Sequence, residues 1–128
     1  MSHVLLVEPD DDFCLFLQLA ISSEGCRVLI TGSVAEAKHT LGCSEPVEVI
    51  VTNAHLPDGS GLLLARDALQ MGKKVFVLRA NRGQIEVCDR QGRVFKGSQF
   101  AVGSFLKKAV LRRTRGRATD RNVKTAGI

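Results

Sequence analysis

Apolar and polar positions follow two patterns along this chain. Short, nearly unbroken apolar runs occur at His3–Val7 (HVLLV), Arg27–Thr31 (RVLIT), Val47–Thr52 (VEVIVT), Lys74–Leu78 (KVFVL) and, more briefly, Val94–Lys96 (VFK). Runs of this length suit strands buried on both faces of a sheet. Between them, apolar residues recur at helical spacing. Phe13, Phe16, Leu17, Ala20 and Ile21 form one stripe, Leu62, Ala65 and Leu69 another, and Val102, Phe105, Leu106, Ala109 and Val110 the last. Asp10 is placed to cap the first helix, with Asp11 and Asp12 at the positive end of its dipole. Gly25 follows as a stop signal. Ser33-Val34-Ala35-Glu36 has the spacing of a capping box and opens a second helix through about Leu41. Gly72 closes the third. Strands alternating with helices predict an α/β domain, a parallel sheet with helices on both faces.

The alternation breaks after Arg79. Asn81–Arg93 (NRGQIEVCDRQGR) carries no helical stripe. Ile85 and Val87 alternate with Glu86 and Cys88, and Arg90-Gln91-Gly92 reads as a turn. An extended segment or hairpin is therefore expected where a fourth helix would fall. Beyond Arg113 the chain becomes polar and basic. The organisation predicted is a domain over 1–113 and a flexible basic tail over 114–128.

A chain of 128 residues supports one ordinary domain with its own core. The formal charge of +5 would suggest an anionic partner. Its distribution weakens that inference, because Lys107–Lys124 holds close to half of all Lys and Arg and the rest is near neutral. Cys14, Cys26, Cys43 and Cys88 form no C-x-x-C pair and match no zinc spacing. They read as reduced, mostly buried thiols. No apolar run is long enough to span a bilayer, and MSHVLLVEPD lacks the features of a signal peptide. A cytoplasmic location without membrane association is the expectation.

The candidate chemistry lies at strand ends. Val47–Gly61 (VEVIVTNAHLPDGSG) runs from a buried strand into Asn53 and a Pro/Gly loop. In open α/β sheets, ligands gather beyond the carboxyl ends of the strands. With LLVEPDD after the first strand and VFKG at the fifth, this pattern resembles the receiver domain of two-component response regulators over roughly residues 3–112. The resemblance implies a flavodoxin-like, five-stranded parallel sheet in the order 2-1-3-4-5, with the fourth helix missing or reduced. It also implies a pocket in which acids hold magnesium beside a phosphoacceptor aspartate, while a hydroxyl and a lysine grip the phosphorylated state. Glu8 stands at the first acid's position and Pro9 at the second. Asn53 replaces the aspartate, Arg79 the hydroxyl, and Arg93 the aromatic switch residue; Lys96 is retained. Asp10 fits a helix cap better than a metal ligand. Arg79 is a candidate built-in cation for this pocket, and Lys96 a candidate partner of Glu8 or Asn53. His55 has no second base near it in sequence and reads as an exposed loop residue.

A pocket so altered predicts no phosphorylation at the usual site, no cofactor, no bound metal and no catalysis. The leading expectation is a receiver-like signalling or adaptor module that works through a protein partner. The alternative is binding of nucleic acid or another acidic surface through Lys107, Lys108, Arg112, Arg113, Arg115 and Arg117. No recognition-helix motif or aromatic stacking platform accompanies those charges. No G-x-G-x-x-G or P-loop follows the first strand, so nucleotide binding has no support.

Overall fold

The computed structural model describes residues 2–22, 25–43 and 46–110. Its order is β1 (Ser2–Val7), α1 (Asp11–Ile21), β2 (Cys26–Thr31), α2 (Val34–Leu41) and β3 (Val49–Asn53). A two-stranded ribbon follows, β4 (His55–Leu56) and β5 (Gly59–Ser60), then α3 (Gly61–Gln70). The chain continues through β6 (Lys74–Asn81), β7 (Gln84–Asp89) and β8 (Val94–Gly97) into a last helix, α4, over residues 99–110.

The expected caps form. Phe13 N–H donates to Asp10 Oδ1 at 2.9 Å, starting α1. Glu36 N–H donates to Ser33 Oγ at 3.2 Å, and Ser33 Oγ–H donates to Glu36 Oε1 at 3.1 Å, starting α2. Side-chain oxygens thus satisfy donors that a helix start leaves orphaned.

The central sheet is mixed and six-stranded, in the order β2-β1-β3-β6-β7-β8. This corrects the five-stranded parallel 2-1-3-4-5 expectation. The first four positions of that order hold, with β2, β1, β3 and β6 parallel. The difference lies where the fourth helix was expected to be missing. Residues 84–89 there form a strand, antiparallel to β6 on one side and β8 on the other. The chain reverses twice, so β8 still runs parallel to β6 but lies one strand further out. Arg82 and Gly83, at φ 51° and 78°, make the first reversal. Two successive positive φ values define the tight turn whose twist matches a hairpin. Asp89 organises the second, its Oδ1 accepting from the N–H groups of Gln91 at 2.9 Å and Arg93 at 3.0 Å.

Two apolar layers sandwich the sheet. On one face α1 and α4 bury Leu17, Ile21, Val102 and Leu106 against Val4, Leu6, Val51 and Phe76. Phe105 on α4 stacks on Phe95 of β8 at 4.5 Å and meets Phe76 edge-on at 6.4 Å, so α4 spans the meander on this side. On the other face α2 and α3 bury Ala37, Leu64, Ala65 and Ala68 against Leu5, Val7, Ile50, Val75 and Val77. Among the described residues, no helix is long and apolar enough to cross a membrane. Cys14 and Cys26 are buried, and burial pushes both thiols above their ordinary pKa, so they stay protonated. Cys43 is exposed and Cys88 half-buried, unlike the expectation of mostly buried thiols. The tail over 114–128, with Arg115 and Arg117, and the residues Arg112 and Arg113 lie outside the described region.

Candidate functional site

The carboxyl ends of β1 and β3 bring Glu8 and Asn53 together. Asn53 Nδ2–H donates to Glu8 Oε1 at 3.0 Å. Glu8 Oε2 accepts the N–H of Asp10, also at 3.0 Å. The other end of the amide, Asn53 Oδ1, accepts the N–H of His55 at 2.9 Å. The amide therefore bridges the β1–α1 loop to the β3–α3 loop, with a donor facing the carboxylate and an acceptor facing the backbone. Glu8 is only 3% exposed. A carboxylate so enclosed needs partners, and both of its oxygens have one.

Each expected pocket residue can now be placed. Pro9 is exposed beside Glu8 and offers no side-chain oxygen. Asp10 caps α1, its carboxylate accepting from Phe13 N–H. Among the described residues, no group of three or more His, Cys, Asp or Glu side chains is arranged to hold a metal. His55 is exposed as expected, but it lies on β4, paired with Ser60, and not in a loop.

Arg79 and Lys96 are placed differently from the expectation. Arg79 is exposed and stands opposite Glu86 on β7, while Lys96 stands opposite Glu86 from β8. Lys96 Nζ lies 3.6 Å from Glu86 Oε2. The charge facing Lys96 thus comes from Glu86, and Glu8 has its partners in Asn53 and Asp10 instead of Arg79. The physical reason is the inserted strand, which moves β8 one strand spacing, about 4.8 Å, further from β3. Asn81 Nδ2–H also donates to Glu86, at 2.9 Å. That bond, helped by the charges of Lys96 and Arg79, holds the Glu86 carboxyl below its usual pKa despite some desolvation.

The loop after β3 is fixed by Asp58, which the sequence did not single out, and by Gly61, whose place at a helix start it did suggest. Asp58 accepts from Val34 N–H at 2.7 Å and Ala35 N–H at 3.0 Å, clamping this loop to the start of α2. Those two backbone bonds hold its carboxyl below the ordinary range. Its position in Pro57-Asp58-Gly59 reads as plain turn chemistry, which hid the role. Gly61 N–H donates to Ala54 O at 2.9 Å, and a Cβ on Gly61 would lie 1.8 Å from Asn53 O. An open cleft of about 430 Å³ lies nearby, between Glu8, Asp11, Cys14, Thr31 and Glu36.

The Asp58 clamp carries a pH signature. A carboxyl with a depressed folded pKa contributes stability above its unfolded pKa, near 4, and that contribution disappears as the pH falls through the folded value. Asp58→Ala should lower Tm at pH 7 and lose part of the acid-limb decline seen in the parent. Thermal unfolding at pH 7 and pH 3 checks this; equal Tm deficits at both values would exclude the clamp.

No family model and no curated protein matches the chain. Among solved structures, it is similar to a sensor protein from Polaromonas sp. JS666, with a TM-score of 0.55 and 24% identity over 62% of this chain. The match spans 66% of that protein, just under two thirds of its length. At this identity the likeness concerns the fold: an α/β domain with helices packed on a central sheet.

Proposed function

We propose that this chain is a flavodoxin-like, receiver-derived signalling or adaptor module. It acts through a protein partner and accepts no phosphoryl group at residue 53. One observation carries the reading. The Asn53 amide donates to Glu8 where phosphoryl chemistry would need a free carboxylate and a metal. A neutral donor meets one oxygen of the buried acid and a backbone N–H the other. An amide is also no carboxylate nucleophile. Fold likeness alone assigns no activity, so the reading rests on this pocket together with the motifs in Glu8–Asp10 and Asn53–Gly61.

Incubation with acetyl phosphate and magnesium, followed by intact mass, tests the chemistry. Neither the parent nor Asn53→Asp should gain a phosphoryl group, because Pro9 withholds the second metal-binding acid. A stable acyl phosphate on the variant would show that the pocket still supports transfer. Capture of a defined partner that withstands nuclease and moderate salt supports the adaptor role. Capture that disappears under either treatment favours the alternative, an acidic surface held by exposed Lys107 and Lys108 with the basic residues after them.

A further inference from the structure

The strand that replaces the expected helix also leaves a bare surface. Side chains alternate across a strand. Val87 points into the α1–α4 layer, so Glu86 and Cys88 point to the opposite face. By register they share that face with Arg79 on β6 and with Val94 and Lys96 on β8. Helices α2 and α3 cover this side of the sheet only as far as β6, and the apolar layer beneath them holds no residue of β7 or β8. The α4 helix lies on the other face. Among the described residues, this face of β7 and β8 is open.

The open area has a wall, a floor and a charged margin. A right-handed crossover from β3 to β6 places α3 over those strands, beside β7. Leu62 and Leu69 sit about a quarter-turn round α3 from its buried Leu64–Ala65–Ala68 stripe, on the flank toward β7. They are 47% and 37% exposed. Half-buried Cys88 and the 54% exposed Val94 form an apolar floor. Exposed Arg66, Arg79 and Lys96 surround it: Arg66 lies 3.8 Å from the Asp67 carboxylate and Lys96 3.6 Å from that of Glu86, so the three cations outnumber these two acids by one.

We propose that this shelf docks an acidic amphipathic helix of a partner protein. The inference rests on the adaptor reading and gives its partner a chemistry. The dimensions and the charges argue for this occupant. β7 has six residues, so the shelf is about 20 Å long. That matches a helix of about 14 residues. Leucine, valine and thiol surface suits the apolar stripe of such a helix, and the cationic margin suits acids along its sides. A second copy would bring the same cationic margin against itself. The chain's own segment from Lys107 onward is basic, like the margin. Nucleic acid would satisfy the cations but not Leu62, Leu69 and Val94.

An unbiased selection tests the proposal. The full-length chain is presented to a displayed library of peptides about 14 residues long. Enriched peptides are then measured by fluorescence anisotropy and by amide shifts. The expected winners are acidic and amphipathic. They should move the signals of Leu62, Cys88 and Val94, and lose at least about tenfold in affinity to Val94→Asp and to the Arg79→Glu/Lys96→Glu pair. Both variants alter exposed side chains, and unchanged thermal unfolding verifies that they fold. An empty selection, or peptides that bind both variants as well as the parent, overturns the shelf and leaves the adaptor reading standing. A DNA duplex that moves the same signals, with no peptide enriched, overturns both.

Discussion

Gly61→Ala is expected to destabilise the protein by about 3 kcal/mol or more, the upper range for overpacking a tight site. A new Cβ would stand 1.8 Å from Asn53 O and 2.8 Å from Asn53 C. The obstacle is backbone, so no side-chain rotation relieves it. Either α3 shifts away from β3, or the end of β3 yields and carries Asn53 away from Glu8. For a domain of this size the loss corresponds to a drop in Tm of roughly 10 °C. Thermal and denaturant unfolding read it directly. A drop of only a degree or two would show that the start of α3 is not seated on residue 53. The position therefore demands glycine for close approach and not for its backbone angle.

Asn53→Asp should produce the second largest effect, about 2–3 kcal/mol at neutral pH, in the range for losing a hydrogen bond to a charged group. The substitution removes the donor that faces Glu8 and sets a second carboxylate in its place, at a contact that is 3.0 Å long in the parent. Like charges at that spacing favour holding one proton between them. The added carboxyl would thus titrate above its unfolded value of about 4. Proton uptake restores a donor, so the deficit shrinks as the pH falls and is largest above the raised pKa. Denaturant midpoints of parent and variant from pH 4.5 to 8 measure this. A deficit that grows toward low pH would place residues 8 and 53 apart.

Much of the frame is legible in the chain itself. The runs that became β1, β2, β3 and β6 are apolar and bounded by breakers, and the caps at Asp10 and Ser33 work locally. Local signals foretell local structure. The alternation of Ile85 and Val87 likewise indicates an extended segment where a helix was due. It does not indicate that this segment would insert between the neighbouring strands, because pairing depends on where the chain reverses. That reversal rests on Arg82 at positive φ, a conformation more usual for glycine or asparagine, so it left little trace in the sequence. The same limit applies to the site. Glu8 and Asn53 meet because adjacent parallel strands end together. Lys96 meets Glu86 because of strand order, which no spacing reveals. Asp58 acts on a helix more than twenty residues upstream, and its own surroundings read as a turn.

The β6–β7–β8 meander has a consequence for how the domain assembles. Parallel neighbours such as β1 and β3 are far apart in sequence, and closing such loops slows folding. A helical crossover at the sheet's end would add another long closure. Here two short hairpins take its place, each joining strands a few residues apart, and hairpins form in about 1–10 μs. This half of the sheet can organise early around Phe76, Val87 and Phe95, giving α4 a surface to dock on before the slower pairing is complete. The exchange of a helix for a strand thus gives the domain a local folding unit at its C-terminal edge.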